Sequence, residues 1–432
     1  MNIRYYLIIA IFCVGMILLS GCQPLNKLTT SYDINKRLNK TPIFSDQHSG
    51  LALYDPAIEK ILISHSGQKQ FTPASNIKIL TALAILQTLG DSIPSFMTLK
   101  EKDTLWVVPF GDPTFLHPDF LSQGVVSQLQ KSFVNISIPA NRLTPYGPGW
   151  AWDDYDLNFQ TERSELPIYG NMLTVDYLDS AKVTPRFFDD YTDRYASEKP
   201  LEMKSRSPDY NIFNTWTPKD TSIYTHRIPI KWNDELLVKL LEDTLKANVS
   251  VHDDIKLGTY SVLYNTPTLS ALSLMMFRSD NFLAEQLLLV SSKVNKYSTP
   301  DILRARLIKD WELDANTQWV DGSGLSRYNL ISPQSLINVL SIIYKNYDWK
   351  TITQIFPAGG VSGTIKDWYG GSPAYLFAKT GSMSNVHCIS GFIKTDSGKT
   401  LIFSFMNNNF TVAQSDLKKE MQVIFEAIRD AY

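Results

Sequence analysis

The sequence predicts an α/β fold: a five-stranded antiparallel sheet flanked by helices, with a β-rich domain inserted into it. Two β-type runs lie near the start of the chain and three near its end, helical patterns adjoin both groups, and the long stretch between them is rich in turns and aromatic residues. A sheet completed by both ends of a chain needs a large core. The chain's 432 residues, 44% of them hydrophobic, are enough to build one, and the length suits roughly two to three domains.

The elements follow in order. Arg4 precedes an apolar run from Tyr5 to Leu19, and Leu19-Ser20-Gly21-Cys22 follows. The run is short for a transmembrane helix, and small residues before Cys22 suit a signal peptidase, so residues 1–21 resemble a lipoprotein signal with its lipobox. Cleavage before Cys22 and lipidation of its thiol are expected, giving an exported, membrane-anchored lipoprotein facing the periplasm. An uncleaved anchor or an ordinary signal is the other reading. Residues 22–40 would then be a tether leading into a first helix. With Cys13 removed and Cys22 carrying lipid, Cys388 stands alone, so no intrachain disulfide is expected, and a β-like run makes Cys388 a small core residue.

Gly50 to Tyr54 and Lys60 to Ser64 flank Asp55-Pro56 and read as a hairpin. From Ser75 to Leu89 nearly every residue is apolar or small, with Pro73 before and Gly90 after, which predicts a helix buried on most sides. Residues 91–263 are expected to form the β-rich insertion, and residues 41–90 with 264–432 the core. Within the insertion Trp150 and Trp152 stand two apart, so that one faces a core and the other solvent. Tyr375 to Lys379, Val386 to Lys394 and Leu401 to Met406 read as strands, the last two joined by Asp396-Ser397-Gly398, and a helix from Ala413 to Ala431 closes the chain.

Composition narrows the function. A formal charge of -2 leaves no field to attract nucleic acid. The six histidines show no metal-ligand spacing, no Cys-x-x-Cys exists, and no glycine-rich nucleotide loop follows a strand, so neither a metal nor a cofactor is expected.

Three short motifs carry the chemistry: Ser75-Asn76-Ile77-Lys78, Ser279-Asp280-Asn281 and Lys379-Thr380-Gly381. With residue usage near ~5% per type, one fixed tripeptide arises by chance in about one chain in twenty of this length, so the trio is far more specific than any member. A serine hydroxyl needs a base, and a lysine at i+3 of a helix lies on the same face. Lys78 is that candidate. Its amine, near ~10.4 in water, must fall by roughly three units to be useful at pH 7, and burial together with the charge of Lys379 would both push it down. Ser-x-x-Lys recurs at Ser66 and Ser415, but the first is a polar turn and the second opens an exposed helix. Ser279-Asp280-Asn281 interrupts two apolar helical stretches as a tight turn, where Ser279 can relay a proton and the Asn281 amide can hold both Lys78 and a substrate carbonyl. Lys379 and Thr380 would grip a terminal carboxylate, Gly381 would let a substrate backbone lie along the strand edge, and the Ser75 and Ser382 amides would form an oxyanion hole.

The three-part signature is that of β-lactamases and penicillin-binding proteins. Pro73-Ala74-Ser75, Gly111-Asp112-Pro113-Thr114, Asp321-Gly322-Ser323-Gly324-Leu325-Ser326-Arg327 and Lys379-Thr380-Gly381-Ser382 resemble the class C low-molecular-mass penicillin-binding proteins, the penicillin-binding protein 4-like D-alanyl-D-alanine carboxypeptidase/endopeptidase family, over nearly everything after about Lys40. The resemblance implies a β-lactamase/transpeptidase-like core bearing extra β domains. It further implies peptidoglycan stem peptides or cross-links as substrate, a Ser75 acyl-enzyme, and β-lactam antibiotics as covalent inhibitors. Asp154, Phe159 and Arg327 match segments that in relatives approach the diaminopimelate side chain; Asp153 competes with Asp154 for that role, and a structural salt bridge competes for Arg327. Ser75 and Ser279 stand about 200 positions apart, a spacing that suits this family's inserted domains better than a compact β-lactamase. No Glu-x-x-Leu-Asn-like element offers the deacylating base of class A β-lactamases. Two other readings stay open: a lipid-anchored peptidoglycan-binding protein with little turnover, and a β-lactamase.

Overall fold

The computed structural model describes residues 31–120, 124–130, 133–138, 143–178, 181–195, 203–216 and 225–432. Residues 1–21 and Cys22, with the expected signal and lipid site, lie outside the described residues.

Both ends of the chain do build one sheet. Strands β1 (His48–Asp55), β2 (Lys60–His65), β3 (Leu376–Met383), β4 (Val386–Lys394) and β5 (Thr400–Asn408) are all antiparallel, in the order β3-β4-β5-β1-β2. Leu53 of β1 lies opposite Phe403 of β5, so the first and last strands in sequence meet at the centre of the sheet. Strand β4 has its expected bounds, whereas β3 and β5 run a few residues beyond their expected ends. The near-continuous apolar character of β5 follows from burial on both faces: Leu401, Phe403 and Phe405 point to one side, Ile402 and Met406 to the other.

Helices cover each face. Helix α1 (Ser31–Lys40) contributes Ile34 and Leu38, and α6 (Gln414–Ala431) contributes Leu417, Met421, Ile424, Phe425 and Ile428, to one apolar cluster. The other face packs against α2 (Lys78–Thr88), α3 (Thr268–Arg278), α4 (Asn281–Val294) and α5 (Pro333–Asn346). Ile79, Leu80, Leu83 and Ile85 of α2 have no exposed surface; each such side chain contributes about 1.5–3 kcal/mol by leaving water, which fixes α2 as the rigid axis under the site.

A second five-stranded sheet is formed by Ser92–Glu101, Thr104–Pro109, Phe133–Ser137, Val249–His252 and Ser261–Pro267, with Asp234–Leu245 packed beside it. Two of its four pairings are parallel. Strand Ser261–Pro267 crosses the boundary expected after residue 263, because its pairing with Ser92–Glu101 continues to Pro267. A three-stranded and a two-stranded sheet complete the region. Of the two tryptophans, Trp152 is 85% exposed while Trp150 is half-buried and donates to Asp321 Oδ2 at 2.9 Å.

Candidate active site

Ser75 belongs to a single 3-10 turn, Ala74–Ile77, that runs straight into α2. The sequence predicted an unbroken helix; the tighter turn still leaves Ser75 and Lys78 on one side, and Lys78 Nζ donates to Ser75 Oγ at 3.0 Å. The same amine donates to Asn281 Oδ1 at 2.6 Å and to the Ser323 carbonyl at 2.5 Å. Asn281 opens α4 and spends its own amide hydrogen on the Phe159 carbonyl at 2.8 Å.

The turn is clamped by backbone on two sides. A Cβ at Gly324, where φ is +86°, would come within 2.0 Å of the Ala74 carbonyl, and one at Gly381 within 2.3 Å of the Pro73 carbonyl. Gly381 was expected to admit a substrate backbone; the chain's own nucleophile turn also requires its missing side chain. Ala74 has φ +47°, a strained conformation for a residue with a Cβ, and the two flanking glycine segments hold it there. Asn76 adds a third tie, donating to the Lys379 and Cys388 carbonyls at 3.1 Å each.

Ser279 ends α3 in the left-handed region at φ +58°, and Asp280 caps α4 by accepting from the Leu283 amide at 2.8 Å. This short connection turns the Ser279 hydroxyl toward β3, where Lys379 Nζ donates to it at 2.9 Å and to the Thr380 carbonyl at 2.7 Å. Two buried amines thus each hold one serine hydroxyl.

Burial lowers the Lys78 amine to about 8, against Asp321, Asp280 and Glu285, whose charges favour the ammonium form. Burial first, and then the Lys78 charge, hold Lys379 well below the ordinary lysine range. The expectation that Lys379 would depress Lys78 is therefore corrected: enclosure in a dry site does that work, as it must for an amine with no exposed surface.

Thr380 shares a 2.6 Å hydrogen bond with Thr364, and exposed Ser382 accepts from Gln414 Nε2 at 3.0 Å while sharing a 2.9 Å bond with His387 Nδ1. Burial depresses His387 to about 3, so this ring is neutral. The Asp154 carboxyl is half-buried and raised by burial, then by Asp153. The Phe159 ring is 42% exposed, and its carbonyl is the point where that segment touches Asn281. Arg327 is exposed and makes no ion pair among the described residues, so the structural salt bridge that competed for it is not found there. Cys388 is buried and free, its thiol pushed up to about 12 by burial.

Sequence reasoning passed over the acids beneath Lys78. Asp321 accepts from the Gly324 amide at 2.8 Å, the Ser326 amide at 2.6 Å and Asn329 Nδ2 at 2.7 Å, and Glu285 accepts from the Ser323 amide at 2.8 Å. A sequence signal existed: Glu285 stands four residues after Asn281, one helical turn along the same face.

A family model described as the D-Ala-D-Ala carboxypeptidase 3 (S13) family matches residues 30–428. The chain belongs to this family. It is thereby a serine-type D-Ala-D-Ala carboxypeptidase by membership. The D-alanyl-D-alanine carboxypeptidase of Actinomadura is 26% identical over 431 residues, covering 85% of this chain and 79% of the relative. The D-alanyl-D-alanine carboxypeptidase DacB of Haemophilus influenzae is 32% identical over 178 residues, a match spanning 38% of this chain and 37% of that relative. Among solved structures, penicillin binding protein 4 of Haemophilus influenzae superposes with a TM-score of 0.71 at 20% identity, covering 92% of this chain and 98% of the other, a likeness of fold. That protein has also been solved in complex with a β-lactam, a structure similar to this chain with a TM-score of 0.66 at 19% identity, covering 92% of this chain and 98% of the other. Among the described residues no helix is long and apolar enough to cross a membrane, and no cluster of side chains suits a metal ion.

Proposed function

We propose that Ser75 is the nucleophile of a serine-type D-alanyl-D-alanine carboxypeptidase/endopeptidase that cleaves peptidoglycan stem peptides or their cross-links. The observation that carries this reading is the hydrogen-bond pattern of Lys78. A neutral amine keeps two hydrogens and one lone pair; Asn281 and the Ser323 carbonyl take the two hydrogens, and the lone pair is left facing the Ser75 hydroxyl. An amine lowered to about 8 is neutral in about a tenth of molecules at pH 7, enough for a general base.

Ser75 Oγ attacks the penultimate D-Ala carbonyl carbon and gives its proton to Lys78 Nζ. The backbone amides of Ser75 and Ser382 stabilise the oxyanion. As the C–N bond breaks, the leaving amine takes a proton through Ser279, whose hydroxyl is replenished from the Lys78 and Lys379 side of the site. Water then attacks the Ser75 ester, releases the shortened peptide and restores the hydroxyl. Lys379, Thr380 and Ser382 would bind the terminal carboxylate of a carboxypeptidase substrate, with Thr364 as a further hydroxyl. Asp154, Phe159 and Arg327 would approach the side chain at the third position of the stem peptide.

Residues 1–21 as a lipoprotein signal and lipid on Cys22 would place the enzyme on a membrane facing the periplasm, next to its substrate. Residues 41–90 with 268–432 form the catalytic core in this reading, and 91–267 the insertion, the expected boundary after 263 moving to the end of the Ser261–Pro267 strand. Mass spectrometry of products from monomeric and cross-linked muropeptides tests the activity. Loss of terminal D-Ala or scission of the cross-link, absent in Ser75→Ala, is expected; intact muropeptides after incubation with folded protein would refute it.

A further inference from the structure

We propose that Arg163 and Glu285 act as a pair of positioning residues for Lys78, so that the segment around residues 144–163 helps set the base; this rests on Lys78 being that base. Neither residue takes part in the reaction scheme above. Glu285 sits in α4 with its side chain 3% exposed, one turn beyond Asn281. Its Oε1 accepts from the Ser323 amide at 2.8 Å, and the carbonyl of that same residue accepts from Lys78 Nζ at 2.5 Å. Glu285 therefore fixes the residue that fixes the amine.

A carboxylate this deeply buried must be paired or protonated. Burial and the Asp321 charge both raise Glu285, and the first charge that opposes them is Arg163. Arg163 Nη1 lies 3.2 Å from Glu285 Oε2 with 10% of its side chain exposed. The guanidinium is held on its other side by the Thr144 carbonyl and hydroxyl at 3.0–3.3 Å and by the Tyr146 carbonyl at 3.0 Å. It also lies 5.4 Å over the Trp150 ring, whose indole nitrogen donates to Asp321. One short segment thus reaches both buried acids beneath Lys78. It neutralises one with a cation and satisfies the other with an indole N–H.

The charged groups around Lys78 are Asp321, Asp280 and Glu285 on the acidic side and Lys379 on the basic side; around Glu285 they are Asp321, Arg163, Arg304 and Lys78. Removing the Glu285 charge while keeping an acceptor for the Ser323 amide takes away one group that favours the Lys78 ammonium form. The amine then loses its proton at lower pH.

The test is the pH dependence of acylation by a fluorescent penicillin in Glu285→Gln, Arg163→Gln and the double variant, each checked for folding by near-ultraviolet circular dichroism. Glu285→Gln is expected to move the rising limb of the acylation rate to lower pH, which a merely structural loss would not do. Arg163→Gln, leaving a buried carboxylate unpaired beside the base, is expected to slow acylation at least about 10-fold, and the double variant to recover several-fold over it. A Glu285→Gln limb superimposed on that of the unmodified protein would overturn the proposal even if Arg163→Gln fails to fold. So would a double variant no faster than Arg163→Gln. Lys78→Ala run alongside separates the two readings, because acylation at the normal rate in that variant removes the base assignment itself.

Discussion

Around Ser75, groups from the 3-10 turn, α4, the loop at Ser323 and β3 hold one another at 2.5–3.1 Å, whereas Trp152, Phe159 and Arg327 stand exposed and Asp154 is only half-buried. In the proposed function the first group is the floor of the site, held in one arrangement, and the second is a rim that would meet the substrate. Bond-making groups work only when fixed before substrate arrives, since reorganisation during the reaction would cost what the site gains. Recognition of a variable side chain needs accessible groups with spare hydrogen-bonding capacity.

The largest effect that sharpens this contrast is Ser75→Ala, which should abolish covalent penicillin labelling while leaving the melting temperature within a few degrees; a label of normal intensity would show that the floor is not where acylation occurs. Lys379→Ala comes next. It removes the partner of the Ser279 hydroxyl and is expected to slow acylation about 10²-fold, in the range of a lost proton-transfer or oxyanion contact, read by stopped-flow fluorescence. Gly324→Ala should be smaller in rate but visible in stability. The added methyl meets the Ala74 carbonyl and the backbone is in the left-handed region, so a loss of about 1–3 kcal/mol is expected in urea unfolding. Arg327→Ala should be smallest: a rise in KM of a few fold for stem peptides with an anionic third side chain, with kcat unchanged, since an exposed charge contributes about 1 kcal/mol or less. An effect on kcat as large as that of Lys379→Ala would erase the distinction between floor and rim.

The same contrast governs what could be read from the sequence. The strands of the main sheet and the closing helix were legible because apolar runs bounded by Asp-Pro, Ser-Gly and proline signals have few other folds. Ser75, Lys78, Ser279, Asn281 and Lys379 stood out because acyl transfer at a serine would demand those side-chain types, and the structure joins them by the Lys78–Ser75, Lys78–Asn281 and Lys379–Ser279 hydrogen bonds. Thr364, Gln414 and Arg163 did not, because their partners lie 16 to 122 residues away and distance in the fold decides the pairing, while the spacing of Glu285 from Asn281 marked its helix face but not its partner Arg163. A second demand on Gly381 escaped the sequence for the same reason: only the fold brings the Pro73 carbonyl against it. The parallel pairs of the second sheet also escaped notice, since a short apolar strand carries no mark of its neighbour's direction.

Acylation by a penicillin, followed by stopped-flow from pH 5 to 10 in the unmodified protein and in Lys78→Ala, tests the central claim most directly. Because burial lowers the amine to about 8 and only its neutral form takes the Ser75 proton, the rate should rise with pH and level off above about 8; in Lys78→Ala it should fall roughly 10²–10⁴-fold and lose that limb. A variant lacking the amine that acylates at the normal rate, or with the same rise through pH 8, would contradict the account.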